Sequence, residues 1–389
     1  DEIIDRTGTS ATKMESLPKG CPDDALPLWV ADMDFACAEP ILKALHERID
    51  KKIFGYTMYD TDECLGAVLN WYKKRYGWEE QKENLFFCGG IVSAYAVLLN
   101  LLTKEGEGVV IQRPIYYPFT MKANSNGRQI VDSPLIYADG NYTIDFDDLD
   151  KKMAEPNNKV LVFCSPHNPA GRVWTEEEIR KVVDICKKYD KWIICDEIHC
   201  DLALFGNPFT SMLAFDEIHS RLAVYTSPGK TFSMTGLIVS NLLIPDAQLR
   251  ERIMGKLRGA WIMSPNLFGM AAAKAAYDKG RGWLEEEKHY LEENSRFVSD
   301  YIGEHMPEIG VTAHEGTYLM WLDLNCLGLD GQLCGTLVEE CGIGVGDGLH
   351  YGKAGSGFIR LNIGCARSLL AKALGALEQL YIKRTSGKR

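Results

Sequence analysis

The segment "KVLVFCSPHNPAGRVWTEEEIRKVVDICKKYDKWIICDEIH", residues 159–199, reads as strand, loop, helix, strand. The runs "KVLVFC" (159–164) and "WIICD" (192–196) are nearly continuous in apolar and β-branched residues, as strands buried on both faces must be. Between them Thr175-x-x-Glu178 forms a capping box, which satisfies backbone amides that the first helical turn leaves unpaired. Ile179, Val182, Val183 and Cys186 then recur on one helical face. Apolar strands separated by an amphipathic helix predict a parallel sheet covered by helices, an α/β fold.

The same texture extends in both directions. Apolar runs "LFFC" (85–88), "GVVIQ" (108–112), "LAVYT" (222–226) and "NLLI" (241–244) predict further strands of a mostly parallel, mixed sheet. Ile41, Leu42, Leu45, Ile49 and Ile53 predict a helix with Pro40 in its first turn. Leu65, Val68, Leu69 and Tyr72 predict another, with Lys73, Lys74 and Arg75 in its last turn and a stop at Gly77. Near residue 285 the texture changes to a long charged helix, "WLEEEKHYLEENSRFVSDYIGEHM" (283–306), followed by "TYLMWLDL" (317–324) and "GFIRLNIG" (357–364). We expect an N-terminal arm over 1–45, contributing to the small domain and the active site. A large domain is expected over 46–285 and a smaller α+β domain over 286–389. Internal repeats and low-complexity linkers are absent.

Bulk composition excludes several function classes. At 389 residues, 46% hydrophobic and 25% charged, the chain can bury substantial cores and is not a disordered protein. A formal net charge of −11 argues against nucleic-acid binding and against anionic membranes. Its longest apolar runs are too short to span a bilayer, and the polar start "DEIIDRTGTS" shows no secretory signal. The twelve cysteines sit mostly in apolar runs without a Cys-x-x-Cys pair, so they read as small hydrophobes in a reducing cytoplasm. "EIHCD" (197–201) fits no zinc spacing, and no metal is expected.

Open α/β sheets bind ligands beyond the carboxyl ends of their strands, so the residues following each strand matter most. These are Gly89-Gly90-Ile91-Val92, "RPIYYPF" (113–119), "SPHNPAG" (165–171), Asp196-Glu197 and Ser227-Pro228-Gly229-Lys230. Gly229-Lys230-Thr231 resembles the end of a P-loop, but the glycine that a P-loop needs upstream is Val224, inside a strand. A second reading is pyridoxal phosphate, whose aldehyde takes a lysine amine as a Schiff base. That cofactor also needs a carboxylate at its pyridine nitrogen, helix N-terminal amides at its phosphate, and an aromatic face against its ring. Asp196, the Gly90–Val92 turn with Ser227, and Tyr116 answer those needs in order.

"SPHNPAG", "CDEIH" and "SPGKTFSMTGL" (227–237), in that order, resemble the fold-type-I pyridoxal-phosphate enzymes of the aminotransferase superfamily. "LPLWVADMDF" (26–35), "FGYT" (54–57), "GTYLMWLDL" and "GFIRLNIGC" narrow the resemblance to the cystathionine β-lyase branch of C–S lyases, which includes the maltose-regulon modulator proteins. It implies an aspartate-aminotransferase-like fold and these roles. Lys230 carries the cofactor and shuttles the Cα proton. Asp196 pairs with the pyridine nitrogen, Asn168 bonds the ring oxygen, and Tyr116, preferred over Tyr117, stacks on the ring. The amides of Ile91 and Val92, after Gly90, hold the phosphate with Ser227. Tyr56 reaches the phosphate of the neighbouring subunit in a homodimer with shared active sites. Arg360 binds the substrate α-carboxylate, and main-chain groups near Ala31–Asp32 close over it. His199, grouped with the cofactor-binding residues, and His167 orient their neighbours.

Many aminotransferases place an arginine eight residues after the lysine; here Ile238 stands there, which favours a lyase. Met14 and Glu15 replace the Trp-Asp of a frequent Lys-Trp-Asp, leaving the arm's role open. The resemblance therefore implies a cytoplasmic β-lyase for cystathionine or other S-substituted cysteines. The alternatives are an aminotransferase of broad range and a cofactor-binding regulatory protein with weak lyase activity.

Overall fold

The structure, a computed structural model, describes residues 2–17, 21–22, 24–260, 265–329 and 331–386. Its larger sheet has seven strands, in the order Leu85–Cys88, Ser240–Leu243, Leu222–Thr226, Trp192–Asp196, Asn158–Cys164, Gly108–Ile111 and Gln129–Asp132. Only Ser240–Leu243 runs against its two neighbours; the other pairings are parallel. The capping box at Thr175 and Glu178 forms as expected, starting the helix Glu176–Lys188. Gly77 ends the helix Asp62–Tyr76 in the left-handed conformation, φ +72°. The helix that begins at Glu39 stops at Asp50, so Ile53 falls outside it and is exposed.

Alternation along each strand buries both faces of this sheet. Val109, Ile111, Val160, Val162, Ile194, Ala223 and Tyr225 point to one side, under the helices Ile91–Leu102, Tyr117–Ser125 and Ala247–Gly259. Leu161, Phe163, Ile193, Cys195, Leu222 and Val224 point to the other, where Ile179, Val182 and Val183 of the capped helix pack. No disulfide joins any of the twelve cysteines. No helix among the described residues is long and apolar enough to cross a membrane.

The second sheet joins Leu26–Leu28, Ile343–Asp347, Phe358–Asn362, Leu319–Asp323 and Gly310–Val311 in that order. Its first pairing is parallel and the rest are antiparallel. The 25-residue helix Arg281–His305 precedes its last four strands. Leu26–Leu28 therefore delivers the segment after it, residues 29–34, from the edge of this sheet to the carboxyl ends of the larger one.

Candidate active site

A cavity of about 390 Å³ lies beyond the carboxyl ends of the larger sheet's parallel strands, lined by Gly90, Ile91, Val92, Tyr116, Asp196, Ser227, Lys230 and Ile238 among others. Gly90, at φ +101°, turns the chain so that the helix Ile91–Leu102 points its first amides at the cavity. A 12-residue helix gives that end a partial positive charge suited to an anion. Tyr116 rather than Tyr117 lines this space; burial, then Tyr117, pushes its phenol up to about 12, so it stays a hydrogen-bond donor. The Ser227 hydroxyl accepts from the Gly229 amide at 3.0 Å and donates to the Val239 carbonyl at 2.7 Å. To donate to a phosphate it must release Val239.

Lys230 donates to the Ala31 carbonyl at 2.5 Å, an acceptor it shares with the Tyr318 hydroxyl at 2.9 Å. Burial, and then the Arg360 guanidinium, push the lysine down to about 8, against the opposing pull of Asp32 and Asp196. Burial pushes the Asp196 carboxyl up to about 7, although the Ile198 amide donates to it at 3.2 Å. Arg360 donates to the Asn168 side-chain oxygen at 3.1 Å and to the Trp29 carbonyl at 2.8 Å, and its buried Nε has no partner. His199 is buried with both ring nitrogens unpartnered, and burial, Lys230 and Arg360 hold it neutral. His167 differs: its ring is held on the Pro114 carbonyl at 2.7 Å and pushed down to about 4, chiefly by burial. Tyr56 is fully exposed in a segment without regular structure, outside the cavity lining.

Buried donors without acceptors cost free energy unless a ligand supplies partners, so the empty bonds of His199 and Arg360 mark where one belongs. The residues present fit pyridoxal phosphate. A partly neutral lysine, a buried carboxyl and an unpartnered imidazole lie together, with a helix N-terminus at the same cavity. Since only the unprotonated amine attacks an aldehyde, cofactor uptake by the cofactor-free protein should rise with pH through a midpoint near 8. Stopped-flow absorbance across pH 6–11 checks this; a midpoint near the ordinary lysine value of 10.5 would contradict it.

Residues 29–34, which supply Ala31, are tied down by side chains whose roles the sequence did not reveal. Lys13, fully buried, donates to the Asp32 carbonyl at 2.8 Å and to the Asp34 carboxylate at 2.7 Å. Arg6 pairs with Asp32 at 2.6 Å and Asp34 at 3.1 Å. Asn362 donates to the carbonyls of Val30 and Asp32 at 2.7 and 2.8 Å. Lys13 is the lysine of the altered Lys-Trp-Asp stretch, so the arm anchors this segment even with Met14 and Glu15 beside it. Lys13→Ala removes one of the two cations on Asp34, leaving Arg6, together with the bond to the Asp32 carbonyl, and should cost about 2 kcal/mol of stability in urea unfolding. A loss under about 0.5 kcal/mol, the level of an exposed pair, would refute the anchor.

The sequence family of class I and II aminotransferases matches residues 23–377 of the chain. The cystathionine beta-lyase PatB of Bacillus subtilis is 36% identical over 97% of this chain and 98% of its own. Cystalysin from Treponema denticola, a structure containing pyridoxal 5′-phosphate, superposes with a TM-score of 0.95 at 32% identity over 98% of both chains. The pyridoxal-phosphate-bound C–S lyase from Staphylococcus hominis gives 0.91 at 34% identity, over 98% of this chain and 97% of that one.

Proposed function

Because the chain belongs to the class I and II aminotransferase family, in the branch of cystathionine beta-lyase PatB, we propose that it is a pyridoxal-phosphate-dependent C–S β-lyase. Its reaction converts L-cystathionine or another S-substituted cysteine, with water, into a thiol, pyruvate and ammonia. The observation that carries this reading is the lysine held near pH 8 beside a buried carboxyl, at the same cavity as an anion-binding helix end. Bound pyridoxal phosphate supplies a carbonyl carbon for an amine and a protonated ring that accepts the electron pair left at Cα.

The chain's own residues do the rest. Lys230, unprotonated in part at neutral pH, holds the cofactor and later takes the Cα proton. Asp196 keeps the ring nitrogen protonated, and that cation in turn favours its ionised form. Asn168 and His199 offer donors to the ring oxygen, while the Ile91 and Val92 amides hold the phosphate. Arg360 has a planar fork and an unused Nε for the substrate α-carboxylate. Ile238 leaves the cavity rim without the cation that many aminotransferases place there. Tyr56, exposed here, fits a role across a homodimer interface.

The test is L-cystathionine with the purified holoenzyme and no keto acid. Catalytic release of pyruvate and thiol supports the lyase. Turnover that requires a keto acid and yields no thiol replaces it with an aminotransferase.

A further inference from the structure

A second cavity, of about 380 Å³, adjoins the first and is lined by Arg113, Tyr117, Thr120, Leu349, His350 and Lys353 among others. Among the described residues no acidic side chain lines it, on a chain whose net charge is −11. Two adjacent residues divide the cavities between them, with Tyr116 in one and Tyr117 in the other. Behind this lining the buried Tyr351 ring lies 5.2 Å from the Arg360 guanidinium and 6.3 Å from the Tyr117 ring. The Ile115 amide donates to the Tyr351 carbonyl at 3.3 Å, which ties the two segments together. The Tyr351 ring thus links the Arg360 guanidinium to the Tyr117 ring that borders the groove.

The groove is built rather than incidental. Gly352 sits at φ +131°, and a Cβ there would stand 2.7 Å from the Arg113 Cδ, so only glycine lets the arginine stem cross this turn. Arg113 gives one nitrogen to Asp132 at 3.2 Å. Asp347 is occupied with the Leu349 amide at 2.9 Å. Lys353 is exposed and has no ion-pair partner among the described residues.

Building on the lyase reading, we propose that this groove binds a carboxylate on the leaving half of the substrate, so that the enzyme prefers cysteine conjugates whose departing thiolate carries an acid group. Arg113 and Lys353 supply the charge, and the Tyr117 ring borders the chain between.

The experiment compares kcat/KM for S-(2-carboxyethyl)-L-cysteine and the uncharged S-butyl-L-cysteine, in holoenzyme of the wild type and of Lys353→Glu, Lys353→Arg and Arg113→Gln. The wild type should favour the acid. Lys353→Glu and Arg113→Gln should each lower the ratio of acid to butyl substrate about tenfold, mainly through KM, while Lys353→Arg preserves it. Raised salt should shrink the wild-type ratio as well. A wild-type preference for the butyl substrate, or a ratio unmoved in both charge-altering variants, overturns the groove and leaves the lyase standing. Cleavage of neither substrate, nor of L-cystathionine, overturns the lyase reading and the groove with it.

Discussion

Lys230→Ala should lower pyruvate release from S-substituted cysteines by about 10⁴-fold or more if Lys230 is, as proposed, the cofactor's anchor and the base at Cα. The fold should survive. Lys230 makes one hydrogen bond, to the Ala31 carbonyl, and that oxygen keeps the Tyr318 hydroxyl at 2.9 Å. Loss of activity with an unchanged circular dichroism spectrum, and loss of the visible absorbance of the lysine-bound cofactor, is the expected pair of results. Lys230→Arg keeps a cation but offers no nucleophilic amine, and should fail equally. A residual rate within 100-fold of wild type would remove Lys230 from the chemistry.

Asp196→Asn should act in opposite directions on stability and on catalysis. In the cofactor-free protein, burial raises this carboxyl to about 7 from 3.8, so the folded state holds a proton that the unfolded chain releases. The stability tied to that proton is fully present below pH 4, declines as pH rises between 4 and 7, and is gone above 7. Asparagine cannot ionise, so the cofactor-free variant should melt higher than wild type at pH 8 and by a smaller margin at pH 5. Glu197, also raised to about 7 chiefly by burial, is raised in small part by the Asp196 charge; asparagine removes that part, which adds to the variant's margin at pH 8 in the same direction. With cofactor bound, the same change removes the charge opposite the ring nitrogen and should lower kcat by about 10²–10³-fold. A variant that melts lower than wild type at pH 8, or keeps full kcat, would contradict the assignment.

Much of this was legible in the sequence because the informative residues follow strands. Asp196 ends an apolar run, and Lys230, Tyr116 and the Gly90 turn follow one within four residues; sheet geometry gathers such positions at one edge. The choice between Tyr116 and Tyr117 was not legible. It depends on where the helix Tyr117–Ser125 begins, and one residue's shift turns a side chain to a different cavity. Nor was the anchoring of residues 29–34, since Lys13, Tyr318 and Asn362 converge there from opposite ends of the chain without any periodic pattern. Leu26–Leu28 is hard to read as a strand because Pro27 argues against one; the structure puts it at a sheet edge, where a missing amide is tolerated. The hairpin joining Ile136–Ala138 to Asn141–Thr143 has a sequence signal in Asp139-Gly140, both at positive φ.

The antiparallel strand also sets a timetable. Among the described residues Leu85–Cys88 pairs in the sheet only with Ser240–Leu243, so that strand neighbour is translated some 150 residues later. At ribosomal speeds that is a wait of roughly 10–30 s, during which four apolar residues have an open hydrogen-bonding edge. The residues that shape the Gly90 turn leave the ribosome well before the strand that fixes them in place. Through that interval the strand's hydrogen-bonding edge stays open, and the end of the cavity at the Ile91–Leu102 helix is completed only once residue 243 has emerged.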